Sequence, residues 1–290
     1  MSKSKRHSIR LLFFTVVAAI SLLAAAFLMP KKEAQPPLSE MTQIPPDVGA
    51  AGNEVPQTNV LPAKAIKLPI LMYHYIEYVR DTGDTIRQSL NIYPTTFEAQ
   101  IKTLQGAGYT FITMSDLTDK KKPLPQKPIV LTFDDGYRDF YTYVFPILKK
   151  YNVRAVAYIV PGFFNRPNNM DKWQIQEVVK SGLVEIGAHT VDHVYLAGMS
   201  QPLARDQIVR SKIILEQELR VPVTAFAYPY GAFNLQTIQL VRDAGFTTAV
   251  STIQGVEVGS ENQFYLFRVR PGARTGAGLI SYLDQLKGAN

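Results

Sequence analysis

From Ile66 to the C-terminus, short apolar runs alternate with amphipathic stretches, and few folds accommodate that alternation. The runs are Pro69–His74, Ile129–Phe133, Ala155–Val160, Val184–Ala188, Ala225–Tyr228, Thr247–Ser251 and Tyr265–Val269. Between and after them, helical patterns cover Thr95–Ala107, Tyr141–Tyr151, Trp173–Ser181, Pro202–Leu219, Leu235–Ala244 and Leu279–Leu286. Strands separated by helices form a parallel sheet with helical crossovers. About seven strands in this span predict an α/β fold, a complete or distorted (β/α) barrel. In such barrels chemistry gathers where the strands end. Five of the runs carry a polar or ionisable residue there: His74, Asp134 with Asp135, His189, Tyr230 and Arg268.

Asp134 and Asp135 close the apolar run Ile129–Phe133 and enter Gly136-Tyr137. Neighbouring side chains diverge in strand geometry, so one carboxylate can ligate a metal while the other reaches a water beside it. His189 and His193 stand four apart and would share a face on a helical turn. Two imidazoles and a carboxylate, with a second carboxylate in reserve, are the inventory of a metal site that keeps an open position. That donor set suits zinc, with cobalt or nickel chemically admissible. The chain has four histidines. His74 is the remaining one in the globular part and the candidate general acid. Tyr228-Pro229-Tyr230-Gly231 reads as a turn after a strand, or as a rigid loop aiming a backbone N–H at an oxyanion. Trp173, the only tryptophan, reads as helix core in preference to a sugar-stacking platform.

Six of the seven net positive charges belong to the N-terminus. Lys3, Lys5, Arg6, Arg10, Lys31 and Lys32 precede the first acid, which leaves 25 basic against 24 acidic residues in the remainder. A near-neutral body excludes a nucleic-acid surface as the working hypothesis. Leu11 to Met29 is uncharged. As a helix it would span roughly 29 Å against a bilayer core of about 30 Å. The cationic bias before it predicts a signal anchor with the body outside the cytoplasm. Cleavage near Ala24-Ala25-Ala26 would secrete the body instead. Cysteine is absent, so no disulfide forms. The layout expected is an anchor or signal helix over 1–30, a disordered Pro-rich linker over 31–65 and a catalytic domain over 66–290. Oligomeric state has no signature.

Thr132-Phe133-Asp134-Asp135-Gly136-Tyr137, His189-Thr190-Val191-Asp192-His193 and Tyr228-Pro229-Tyr230-Gly231 follow in order. Residues 66 to 290 thereby resemble the polysaccharide deacetylase family, carbohydrate esterases with the nodulation-deacetylase homology domain. The resemblance implies a distorted barrel, a divalent metal, usually zinc, and removal of N-acetyl groups from GlcNAc-containing polymers such as peptidoglycan or poly-N-acetylglucosamine. It matches Asp134 to the catalytic base, Asp135, His189 and His193 to the metal triad, and Tyr230 to the oxyanion N–H. Two positions depart from the usual pattern: Ala227 stands where arginine is common, and no histidine follows His193. Both departures resemble the poly-N-acetylglucosamine deacetylase-like branch. There the acid lies in an early Met-Tyr-His segment, matched by Met72-Tyr73-His74, and an arginine such as Arg268 orients the base. A metal-dependent amidase on a smaller substrate and a catalytically silent polysaccharide-binding module are the alternatives.

Overall fold

The computed structural model describes residues 61–79 and 83–288. Seven parallel strands form a nearly closed barrel in sequence order: β1 (Ile70–Tyr73), β2 (Pro128–Phe133), β3 (Ala155–Ile159), β4 (Val184–Ala188), β5 (Ala225–Ala227), β6 (Thr248–Gln254) and β7 (Leu266–Arg268). The ends meet where the Met72 N–H donates to the Val269 carbonyl (2.9 Å) and the Val269 N–H to that of Ile70 (2.8 Å). Two seams are loose. β4 and β5 pair at Ala188 and Phe226, and the register of β6 on β7 slips between Val250 and Gln254.

Helices cover the outside: α1 (Pro94–Gly106), α2 (Phe145–Tyr151), α3 (Lys172–Lys180), α4 (Gln201–Leu219), α5 (Leu235–Asp243) and α6 (Gly276–Gly288). Their starts carry helix-initiating residues. Pro94 is the first residue of α1, and Asn234 caps α5 by accepting from the Thr237 N–H at 2.9 Å. The expected helix from Tyr141 begins instead as a π-helical turn, Phe140–Val144, and becomes α2 after it. A further strand, Thr110–Ile112, pairs with the start of β2, and a short parallel pair joins Tyr75–Ile76 to Asn91–Ile92. Both are too short to leave a periodic signal in the sequence.

The strands are apolar on both faces, as burial inside and out requires. Ile70, Val130, Val156, Tyr158, Ala225 and Leu266 fill the barrel. Leu71, Leu131, Phe133, Ile186 and Phe226 face the helices, meeting Phe97, Ile101, Leu148, Ile175, Leu215 and Leu279. Each such side chain contributes roughly 1.5–3 kcal/mol by leaving water. Tyr158 fits inside only because Gly187 faces it. A Cβ at Gly187 would stand 2.3 Å from the tyrosine ring.

The expected core position of Trp173 is overturned. Its ring is 56% exposed at the start of α3, edge-on to Tyr141 at 5.4 Å. Leu61 is buried and its N–H donates to Gln263 (3.2 Å), so packing begins ahead of Ile66. The expected signal or anchor helix, and the linker as far as residue 60, lie outside the described residues. Among the described residues no helix is long and apolar enough to cross a membrane.

Candidate functional site

Strand parity carries three groups into the barrel mouth. His74 continues the inward series Ile70 and Met72, Asp134 continues Val130 and Thr132, and Arg268 follows Leu266. Arg268 is 1% exposed and grips both oxygens of Asp134: Nη1 donates to Oδ1 and Nη2 to Oδ2, each at 2.8 Å. Two further donors are fixed as well. Nε donates to the Ser251 carbonyl (2.7 Å), at the register slip of β6, and Nη1 donates to Thr132 Oγ1 (3.1 Å). Thr132 in turn donates to the Leu71 carbonyl at 2.7 Å. Burial alone would push the Asp134 carboxyl up. The guanidinium more than offsets this and holds it below the usual carboxylate range.

Asp135 would point away from Asp134 on a regular strand. A left-handed φ of +73° turns it into the mouth instead. Asn169 supports that turn by donating Nδ2 to the Asp135 carbonyl at 3.0 Å. His189 and His193 approach from the loop after β4. They do not lie on a helix, as their spacing suggested. The loop is a turn in which Thr190 and His193 both have positive φ. Gln207 of α4 builds this turn: its Oε1 accepts from the Val191 and Asp192 N–H groups, both at 3.0 Å.

The three donor atoms converge. Asp135 Oδ1 lies 3.3 Å from His189 Nε2 and 3.1 Å from His193 Nε2, and all three fit within 4.8 Å. The His189 Nδ1–H donates to the Ala227 carbonyl at 2.7 Å, which leaves a lone pair on Nε2 in the neutral ring. Tyr230 Oη lies 3.1 Å from His193 Nδ1, so that ring too turns Nε2 inward. Asp135 Oδ1 is buried and makes no hydrogen bond of acceptable geometry. Lone pairs and a carboxylate facing one another in a buried space repel unless a cation joins them. The donor set thus fits a divalent metal. Where protons on the two imidazoles take the place of a cation, they hold the Asp135 carboxyl well below the ordinary range against the opposing effect of burial.

His74 Nε2 lies 3.8 Å from Asp134 Oδ2. Burial lowers its pKa, and the Asp134 and Asp135 carboxylates oppose that only in part. Tyr230 is half exposed, with φ +61° in the turn Pro229–Gly231 and its ring 4.6 Å from that of His193. The following Gly231 admits no side chain: a Cβ there would stand 2.0 Å from Thr252 Oγ1. The seven candidate site residues, His74, Asp134, Asp135, His189, His193, Tyr230 and Arg268, meet at one mouth, and Trp173 lies away from it against Tyr141. Asn169, Gln207 and the Ser251 carbonyl were not foreseen. Each acts through a contact from a distant element, for which the sequence carries no local pattern.

Three side chains that could hold a metal, Asp135 and His189 buried and His193 partly so, lie beside an arginine-held carboxylate at the strand ends of a (β/α) barrel, an arrangement suited to hydrolysis. The polysaccharide deacetylase family model matches residues 121–249. A Bacillus subtilis (strain 168) protein, YxkH, a polysaccharide deacetylase by name, is 31% identical over 230 residues, covering 77% of this chain and 78% of its own. The chain therefore belongs to the polysaccharide deacetylase family and is a hydrolase. A Staphylococcus aureus poly-beta-1,6-N-acetyl-D-glucosamine N-deacetylase is 26% identical over 197 residues, covering 63% of this chain and 68% of that protein. Among solved structures, the Streptococcus pyogenes deacetylase PplD in complex with acetate superposes with a TM-score of 0.69 at 28% identity, covering 77% of this chain and 99% of its own.

Proposed function

We propose that this protein is a metal-dependent N-deacetylase of a GlcNAc-containing polysaccharide, poly-N-acetylglucosamine or peptidoglycan, releasing acetate. The observation that carries it is the orphaned Asp135 oxygen between two inward-facing imidazoles, beside an Asp134 that Arg268 holds ionised. The S. aureus relative supports the substrate class by its name, and PplD supports the product by its bound acetate.

Asp135, His189 and His193 are the residues that would hold the metal, zinc on this donor set. Bound there, a divalent ion polarises an acyl carbonyl and lowers the pKa of water. Asp134 has both oxygens on Arg268, stays ionised, and takes the proton of the attacking water. The Tyr230 N–H faces the developing oxyanion. His74 delivers a proton to the departing nitrogen, without which the amide C–N bond breaks poorly. Because His74 rests neutral, one proton serves both steps. It passes from water to Asp134, across the 3.8 Å gap to His74, and on to the nitrogen. Acetic acid and the amine leave, with both side chains restored.

The N-terminal 1–30 segment serves as a membrane anchor or cleaved signal and 31–65 as a tether, placing the 66–290 catalytic domain outside the cytoplasm. The test is acetate release from a panel of defined acetylated polymers, with metal analysis of the same preparation. Acetate release from small amides alone, or none from a metal-replete protein, would refute the reading.

A further inference from the structure

Tyr230 carries more than a backbone donor needs. Its φ of +61° and ψ of 3° lie in the left-handed region, which crowds any residue with a Cβ. A glycine would present the same N–H there without strain. The turn is nevertheless clamped around a tyrosine. Before it, the Tyr228 hydroxyl donates to the Phe264 carbonyl at 3.0 Å in the core. After it, Gly231 packs on Thr252 too closely to admit a Cβ. Strain that the surroundings hold in place at a site points to a use for the side chain.

That use lies at the phenol. Tyr230 Oη is 3.1 Å from His193 Nδ1, and the two rings meet edge to face with centroids 4.6 Å apart at 64°. The two imidazoles of the triad are therefore held in different ways. His189 donates to the main chain of β5, at the Ala227 carbonyl, over 2.7 Å. His193 sits in a turn at φ +56°, and its ring leans on a side chain. Turning Nε2 to a metal as a lone pair puts the proton on Nδ1, so the phenol oxygen is the acceptor. The phenol then keeps its own proton for another partner. Burial, and after it the Asp135 charge, raises the Tyr230 pKa, which keeps that proton on the oxygen at neutral pH. The residue is half exposed, so the O–H has room to turn toward a molecule in the mouth.

We propose that the Tyr230 phenol joins the metal ligands to the substrate: its oxygen accepts from the His193 Nδ1–H, and its O–H donates to an oxygen of the sugar that bears the acetamide. The inference rests on the reading of the chain as a deacetylase of amino sugars, and it goes beyond the backbone N–H assigned above. In this role Tyr230 is a positioning residue for His193 and a specificity residue for the sugar. A small amide offers no hydroxyl or ring oxygen beside its acyl group, so it forfeits that bond. The strain of the turn is thereby accounted for. A glycine would keep the N–H and lose both hydrogen bonds of the phenol.

The test compares wild type with Tyr230→Phe, which removes only the hydroxyl, and with Tyr230→Gly, which removes the ring and suits the positive φ. Chelator competition for zinc, read without substrate, should show binding weaker by roughly 10–100-fold in both variants, the scale of a ligand's outer partner. The visible spectrum of the cobalt-loaded protein should shift in Tyr230→Phe as the His193 ring turns. At saturating metal, KM for a GlcNAc pentamer should rise roughly 2- to 12-fold in Tyr230→Phe, the scale of one neutral hydrogen bond. The rise should be smaller for a small activated acetate ester. Unchanged zinc affinity in both variants would overturn the positioning role, and equal KM rises on pentamer and ester would overturn the sugar contact. Either result leaves the deacetylase reading intact. A wild-type protein that binds no zinc or cleaves no pentamer would overturn that reading and this inference with it. If Tyr230→Phe does not fold, Tyr230→Gly carries both measurements with the same expected directions.

Discussion

Replacing Arg268 tests whether the site is organised around a buried ion pair. Arg268→Met keeps much of the side-chain length and removes the charge. Asp134, 3% exposed, would then lose two hydrogen bonds of 2.8 Å to a cation. Hydrogen bonds to charged groups contribute about 1.5–3 kcal/mol each. Their sum agrees with the roughly 3–5 kcal/mol measured when one partner of a buried pair is removed. That is a large share of the 5–15 kcal/mol typical of a domain. For a body of this size it lowers the Tm by roughly 6–20 °C. The double variant Asp134→Asn with Arg268→Met removes both charges of the pair and should recover most of the loss. Urea unfolding of the four proteins in the cycle measures the coupling. A loss under about 1 kcal/mol for Arg268→Met, or a double variant as unstable as the sum of the singles, would refute the reasoning. Arg268→Lys should fail as well, because a point charge cannot replace a fork that occupies four acceptor positions.

Asp135→Ala, His189→Ala and His193→Ala should each weaken metal binding by more than the roughly 10–100-fold that loss of an outer partner costs; full metal occupancy by elemental analysis would contradict the triad. His74→Ala should keep metal and fold while losing about 10²–10⁴-fold in turnover on an N-acetyl substrate, with a smaller loss on an activated ester, and equal losses on the two would remove it as the acid. Asp139 is buried, with Oδ2 accepting from the Ile76 N–H and Oδ1 unpartnered, and burial is the main cause that raises its pKa to about 6 against an ordinary 3.8. A carboxyl raised on folding contributes its stability below 3.8 and loses it as pH rises through about 6, so Asp139→Asn should gain on wild type between pH 4 and 7, by up to about 3 kcal/mol. A pH-independent difference in urea unfolding would count against it.

Period-two alternation made much of this site legible. His74, Asp134 and Arg268 each continue an inward-facing series, so the sequence places them in one mouth once a barrel is inferred. The barrel strands were legible for a different reason: runs buried on both faces leave mostly apolar stretches such as Ile129–Phe133, in which Thr132 is the one polar residue. What stayed hidden departs from that period. Asp135 has the parity of the outer face and reaches the triad through a positive φ, which no sequence period encodes. His189 and His193 have helical spacing, yet a turn held by Gln207 brings them together. Trp173 sits on a helix with a buried face, and its exposure depends on which turn of α3 meets the barrel rim. The grip on Asp134 joins both kinds of information. Parity points Arg268 inward, but its height in the barrel follows from the slipped register between β6 and β7, where the Ser251 carbonyl meets Nε. Restoring a regular ladder there by deleting residues from β6 would move that carbonyl and misalign the guanidinium against Asp134. Parity alone is therefore insufficient, and the irregular seam is part of the catalytic geometry.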